Sequence, residues 1–262
     1  MCGRFVSARK RLELLEEFAV ERDRVGEDRD PDYNVAPTKR IYVVVDRKDD
    51  DELRTRQLRL LRWGLVPSWA KDTSGGARMI NARAETVAVK PAFRGAFGRR
   101  RCIIPADGYY EWQAAGKAKK PFYIYRTDGG ILAFAGIYEL WRDESVPADH
   151  EHAWYWSGAI ITTDAADDIG KIHDRTPMVI APESWADWLD PANNDKELLL
   201  ATMLPATSSG AGGLRSHPVS TAVNSVRNNG PGLVEPLVDD GSPASGPAPG
   251  PGSGEGERPP LF

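Results

Sequence analysis

The sequence predicts an α+β fold in which a curved, mostly antiparallel sheet dominates and helices stay peripheral. Three observations carry that expectation. Seven short runs rich in β-branched and aromatic residues are separated by turn residues. Helical spacing of apolar positions is confined to three segments. No stretch rich in Gly, Pro or Ser divides the first 238 residues, so 1–238 reads as one compact domain.

In chain order, Ser7 is a candidate N-cap for a helix with Leu12, Leu15, Phe18 and Ala19 on its apolar face. Strand-like runs follow at 41–45, 58–63, 101–104, 122–125, 131–138, 153–163 and 177–180. MINARAET, at 79–86, alternates so that Asn81 and Arg83 share one strand face and Ile80 and Ala82 the other. Helices return at 183–189 and 195–203, where Trp185, Trp188 and Leu189 share a face. From Asp239 the chain reads DDGSPASGPAPGPGSGEGERPPLF, half of it Gly or Pro. That composition cannot build a core, so 239–262 is expected to be a disordered tail.

Of 262 residues, 41% are hydrophobic and 27% charged, close to globular averages, which excludes a fully disordered chain and a coiled coil. No apolar run approaches the ~20 residues of a membrane-spanning helix. The start, MCGRF, lacks the basic and apolar regions of a secretory signal, and a cytoplasmic protein is expected. Two cysteines, Cys2 and Cys102, make no disulfide framework and too small a set for a metal cluster. The formal charge is −4, of which Asp239, Asp240, Glu255 and Glu257 against Arg258 supply −3. Any nucleic-acid site must therefore be a local basic patch.

Cys2 stands out chemically. Removal of the initiator methionine before a small residue leaves a cysteine with a free α-amine beside its thiol, a 1,2-aminothiol. The amine titrates near 7.7–8.0 and the thiol near 8.5, so both nucleophiles are partly available near neutrality. An aldehyde forms an imine with the amine, and the thiol then closes a five-membered thiazolidine. Gly3 permits close backbone approach and Arg4 supplies a fixed cation. The alternative is a small residue on an ordinary terminus. Cys102, in the apolar run CII, reads as a buried inert thiol.

Other residues could complete a site. Asn81 offers a donor and an acceptor, and Arg83 a fork suited to phosphate, unless both merely hold a neighbouring loop. Glu111, flanked by Tyr110 and Trp112, is a proton donor with a raised pKa if its strand face is dry, and a surface charge if it is wet. His173 precedes a turn and strand with Asp174 and Arg175 beside it. His217 is a second candidate, equally a structural one, whereas His150 and His152 read as a solvated loop. No G-x-x-x-x-G-K-[ST], G-x-S-x-G or H-E-x-x-H is present, which disfavours nucleotide, serine and zinc hydrolysis.

Taken together, MCGRF, YNVAPT (33–38), WGLVPSW (63–69), INARAET (80–86), CIIPADGYYEW (102–112), IHDRTPMVI (172–180) and HPVS followed by VNSVRN form an ordered series. The series closely resembles the SRAP family, the SOS response-associated peptidase proteins that shield abasic sites in single-stranded DNA. The resemblance implies a bifurcated sheet folded into a barrel-like core, and capture of the ring-opened sugar aldehyde by Cys2 as a thiazolidine. It implies Asn81, Glu111 and His173 as catalytic partners, Arg4, Arg83 and Arg175 as DNA-backbone contacts, Trp69 against a base, and Pro37 and Thr162 lining the pocket. Single-stranded DNA with abasic sites is the expected partner of a monomer that needs no cofactor and no metal, nucleoid-associated when on DNA. The family name implies peptidase or lyase chemistry, including autocatalytic release of Met1. The 239–262 tail and the loop from Arg142 to His152 depart from a minimal member. Two rivals remain at this point: a glutamine amidotransferase-like N-terminal-nucleophile hydrolase, which also begins Cys-Gly, and a non-catalytic module for single-stranded or modified nucleic acid.

Overall fold

A computed structural model describes residues 2–48, 52–116, 118–147, 149–150, 153–165, 167–206 and 213–237, with 167 and 168 as backbone only. His152 and the 239–262 segment lie outside the described residues. The chain begins β1 (Phe5–Ser7), α1 (Arg11–Glu17), β2 (Arg22–Asp23), β3 (Asp32–Val35), β4 (Arg40–Lys48) and β5 (Arg54–Trp63). It continues β6 (Asn81–Arg83), α2 (Ala84–Val87), α3 (Arg94–Arg99), β7 (Arg101–Ala106), β8 (Gly108–Ala115), β9 (Ala118–Arg126), β10 (Leu132–Arg142) and β11 (Trp154–Asp164). The last elements are α4 (Asp167–Gly170), β12 (Arg175–Ile180), α5 (Trp185–Leu189), α6 (Lys196–Thr202), β13 (Met203–Pro205) and β14 (Leu214–Pro218).

Two sheets result. The smaller runs β14–β9–β8–β1–β3, and the larger runs β13–β12–β10–β7–β4–β5–β11–β6 with β2 beside β5. Because β10 also pairs with β11, strands β10, β7, β4, β5 and β11 close a ring, and β12 and β13 branch from it. The closure is a parallel seam, Ser157↔Arg62 and Gly158↔Trp63, in an otherwise largely antiparallel sheet. One ring junction is slight, with Val44↔Ile103 as the register pair between β4 and β7. The expected barrel-like core is therefore a ring with branches and no strict barrel.

Period-two alternation sorts the ring side chains. Ile41, Val43, Val45, Cys102, Ile104, Phe134 and Ile160 pack with Phe5, Val35, Tyr109 and Ile124 of the small sheet. Their neighbours Val44, Ile103, Ala135, Ile137 and Ile161 pack instead under the helices, against Leu14, Phe18, Phe97, Trp188 and Leu199. Strands buried on both faces read as continuous apolar runs, which is why they were legible. Helices join this layer through Arg101, whose buried guanidinium donates to the carbonyls of Phe97 at 2.8 Å, Trp188 at 2.6 Å and Asn193 at 3.1 Å. Phe97 and Trp188 lie in the last turns of α3 and α5, whose carbonyls find no partner within the helix, and Asn193 in the loop after α5. Burial lowers that guanidinium to about 10.

The first helix differs from its expected form. Ser7 pairs with Asp32 as the end of β1, and α1 starts after Lys10 without a side-chain cap. Its buried positions are Leu14 and Phe18, four apart, while Leu12 is 63% exposed. The seven expected strands all form, but β1, β2, β3 and β13, each four residues or fewer, were not anticipated. One close approach shapes the turn after β5: Gly64 has φ 128°, and a Cβ there would lie 2.7 Å from the carbonyl oxygen of Gly76.

Candidate active site around Cys2

Cys2 leads directly into β1, an inner strand held between β8 and β3. Phe5 pairs with Tyr109, and the Tyr110 N–H donates to the Arg4 carbonyl at 2.9 Å, which carries the pairing back toward Cys2. The Cys2 side chain is fully buried in the cluster that holds Phe5, Trp63 and Tyr109. Asn81 opens β6, whose parallel pairing places it against Ile160 of β11. The preceding Ile80 carbonyl accepts from Trp63 Nε1 at 2.9 Å and from the Ile160 N–H at 3.0 Å, fixing the strand's start. From there Asn81 Nδ2 donates to the Cys2 carbonyl at 2.8 Å. Asn81 Oδ1 is buried with no hydrogen-bond partner among the described residues, an acceptor available to a ligand.

Glu111 resolves the question of the strand face. It lies two residues beyond Tyr109 on β8 and is 2% exposed, so its face is the dry one. Burial raises its carboxyl to about 7. Burial also pushes the Cys2 thiol well up, and the negative charge of Glu111 adds to that rise. The two groups are therefore electrostatic neighbours although 109 positions apart. Beneath them, the Tyr109 hydroxyl meets Thr176 Oγ1 at 3.0 Å in a buried pair. Tyr109 and Thr176 were not anticipated; the i, i+2 relation of Tyr109 to Glu111 was the available signal.

His173 sits in the turn before β12, with its N–H bonded to the Ile169 carbonyl at 3.1 Å. Its Nδ1 accepts the Arg175 backbone N–H at 3.0 Å, which in the neutral ring assigns the proton to Nε2. The same Nδ1 is 2.8 Å from Asp174 Oδ1, a contact that becomes an ion pair only when the ring is protonated. Burial lowers the histidine pKa, so the neutral ring is favoured at neutrality.

The remaining expected residues divide into inward and outward groups. Where the resemblance implies a phosphate contact for Arg175, its buried guanidinium is engaged within the protein. It donates to Glu85 at 2.9 Å, Asp164 at 2.6 Å and the Thr162 carbonyl at 2.6 Å. Thr162 is itself buried, and its hydroxyl accepts from the same guanidinium at 3.3 Å. Arg4 donates to Asn34 Oδ1 at 2.6 Å and the Val223 carbonyl at 2.9 Å, and lies 5.6 Å from the Trp112 ring centre. Arg83 is exposed and its side chain forms no hydrogen bond or ion pair among the described residues. Trp69 is 69% exposed beyond the Gly64 turn. Pro37 is partly exposed in the turn between β3 and β4, next to Thr38, whose N–H bonds to the Trp63 carbonyl at 2.8 Å.

Outside this group, Cys102 is fully buried on β7 and its thiol is pushed up by burial alone. His217 Nε2 lies 2.8 Å from the Val234 carbonyl, with its ring against Tyr123 and Tyr125, a packing role. Among the described residues no three His, Cys, Asp or Glu converge as a metal site.

Fold and site together define a class: proteins in which a cysteine at position 2 leads into an inner strand of a small sheet, beside a buried carboxyl and against an amide supplied by a ring-shaped sheet. Residues 1–226 match the family described as SOS response associated peptidase, and the chain belongs to that family. It is 38% identical over 237 residues to the abasic site processing protein YoqW of Bacillus subtilis, covering 90% of this chain and 99% of that one. It is 35% identical to the abasic site processing protein YedK of Escherichia coli, covering 90% and 100%. Identity to the abasic site processing protein HMCES of Gallus gallus is 31%, covering 90% and 78%. Among solved structures, a protein of Bacteroides thetaiotaomicron superposes with TM-score 0.74 at 25% identity, covering 90% of this chain and all of that one.

Proposed function

We propose that the protein processes abasic sites in single-stranded DNA by covalent capture through Cys2, within a domain spanning 1–238. The observation that carries this reading is the Asn81 Nδ2 bond to the Cys2 carbonyl, which holds the nucleophile's backbone next to a buried carboxyl with a pKa near 7. Removal of Met1 turns the Cys2 nitrogen from an amide into a primary amine. That amine adds to C1′ of the ring-opened sugar, water leaves, and an imine forms. The sulfur then adds to the imine carbon while its proton passes to the nitrogen, closing the thiazolidine. One water is lost and nothing is oxidised or reduced.

Each neighbour has a role in this scheme. Glu111, half protonated at neutrality, donates to the sugar ring oxygen as the hemiacetal opens and then accepts a proton as the amine attacks. Asn81 orients Cys2 through Nδ2 and offers Oδ1 to the N–H of the intermediate. His173, neutral at its lowered pKa, relays a proton and assists reversal. Arg4 and Arg83 are the phosphate contacts, Trp69 stacks on a base and Pro37 borders the pocket. Arg175, with Thr162, positions the His173 turn by tying Asp164 and Glu85 together.

The test is the intact mass of the protein mixed with a single-stranded oligonucleotide bearing one abasic site. The expected product is protein without Met1 plus oligonucleotide minus one water. A Cys2→Ala protein that still forms the adduct, or an active protein that retains Met1, overturns the proposal. A non-catalytic binding module would instead give no species that survives denaturation.

A further inference from the structure

Beside the parallel seam of β5 and β11 runs a groove of about 670 Å3 whose lining includes Arg24, Arg40, Arg59, Arg62, Trp154 and Tyr155. Glu27 is the single carboxylate among its described lining residues. Arg40 and Arg62 are directly opposite each other in the β4–β5 ladder, and both are exposed. Like charges in that relation repel, and here neither side chain forms a hydrogen bond or ion pair among the described residues. The part of the lining that β11 supplies is aromatic. Trp156 is already covered, stacked on Tyr138 at 5.3 Å and capped by Arg59 at 4.8 Å. Trp154 is 49% exposed, with the Arg142 guanidinium 6.0 Å from its ring centre and the rest of the indole open to solvent.

This groove extends toward the turns that carry Pro37 and Trp69. A second hollow, of about 280 Å3, shares Arg62 and Tyr155 with it and reaches Thr38, Trp63 and Gly64. Thr38 adjoins Pro37, and Gly64 begins the turn that leads to Trp69. The guanidinium groups of Arg40 and Arg62 and the half-exposed indole of Trp154 match a polyanion that carries aromatic bases.

We propose that this groove binds the phosphate backbone of the single strand as it continues away from the abasic sugar, with Trp154 stacking on one of its bases. The inference rests on the proposed function for its direction along the strand, and it adds Arg40, Arg62 and Trp154 as strand-binding residues.

The test uses the full chain and undamaged single-stranded oligonucleotides of about 5 and about 20 nucleotides, bracketing the about 4–16 that such surfaces cover. Affinity is read by fluorescence anisotropy across a salt series. The wild type is expected to bind the longer strand more tightly, and the Arg40→Ala/Arg62→Ala protein to lose about tenfold on it, with the salt slope lowered by about 1.4 for two lost phosphate contacts. Trp154→Ala is expected to weaken binding of the longer strand with the salt slope unchanged, and this single variant serves if the double one does not fold. Unchanged affinity and slope in the arginine variant, or no measurable binding by the wild type, overturns the proposal. Undamaged DNA has no aldehyde, so the two readings fail separately. Arginine-dependent binding without any abasic adduct sinks the covalent reading, and an adduct with arginine-independent binding sinks the groove.

Discussion

Asn81 and Cys2 are joined by one side-chain to main-chain hydrogen bond of 2.8 Å that spans 79 positions of sequence and bridges the two sheets. It fixes the backbone of the residue proposed to react, while the other end of the same amide is buried without a partner among the described residues.

Asn81→Ala removes that bond and is expected to slow single-turnover adduct formation about tenfold, the equivalent of about 1.4 kcal/mol. Asn81→Asp, which accepts but cannot donate, should show a similar loss. Wild-type rates in both variants would mean that the bond does not orient Cys2.

Glu111 predicts two pH dependences of the same sign. Its acid form, needed to open the sugar, is populated below about 7, so the ring-opening step should slow as pH rises through 7. Stability follows the same group. The folded protein holds this proton more tightly than the unfolded chain, so stability declines as pH rises from about 4.5 through 7 and the loss is complete above that. Glu111→Gln should abolish the rate inflection and raise Tm relative to wild type at pH 8 but not at pH 4. The gain is of the order of 3 kcal/mol at most, measured by thermal or urea unfolding at the two pH values.

Cys2→Ser keeps the amine and loses the sulfur. The expected adduct is an imine that appears on a denaturing gel only after borohydride reduction, whereas the wild-type adduct persists without it. An unreduced, stable adduct from the serine protein would exclude the thiazolidine.

Arg175→Ala strips Glu85, Asp164 and Thr162 of their shared donor. Loss of a buried, multiply bonded cation should cost about 2 kcal/mol, seen as a Tm lower by about 6 °C. An unchanged Tm with weakened DNA binding would instead make Arg175 a phosphate contact.

The sequence made the central strands readable because each is buried on both faces and so carries an unbroken β-branched run, as in Val43, Val44 and Val45. The short strands β1, β2, β3 and β13 were not readable, since β1 has only Phe5, Val6 and Ser7 and its partners lie about 30 and 100 residues away. The same distance hid the site's wiring. Residue types nominated Cys2, Asn81, Glu111 and His173, but the dry face of Glu111 depends on where β1 lands. Arg175 shows the reverse: its type suits phosphate, and only the folded positions of Glu85 and Asp164 show that the guanidinium is already engaged.

The placement of β1 inside the small sheet, with Tyr109 as the partner of Phe5, sets a timetable for synthesis. Phe5 is synthesised before Tyr109, so its place in the sheet is not made until about a hundred further residues emerge, several seconds later at about 5–20 residues per second. In the nascent chain Cys2 therefore lacks the carboxyl of Glu111 that stands beside it in the fold, and the pocket is assembled only as the middle third arrives.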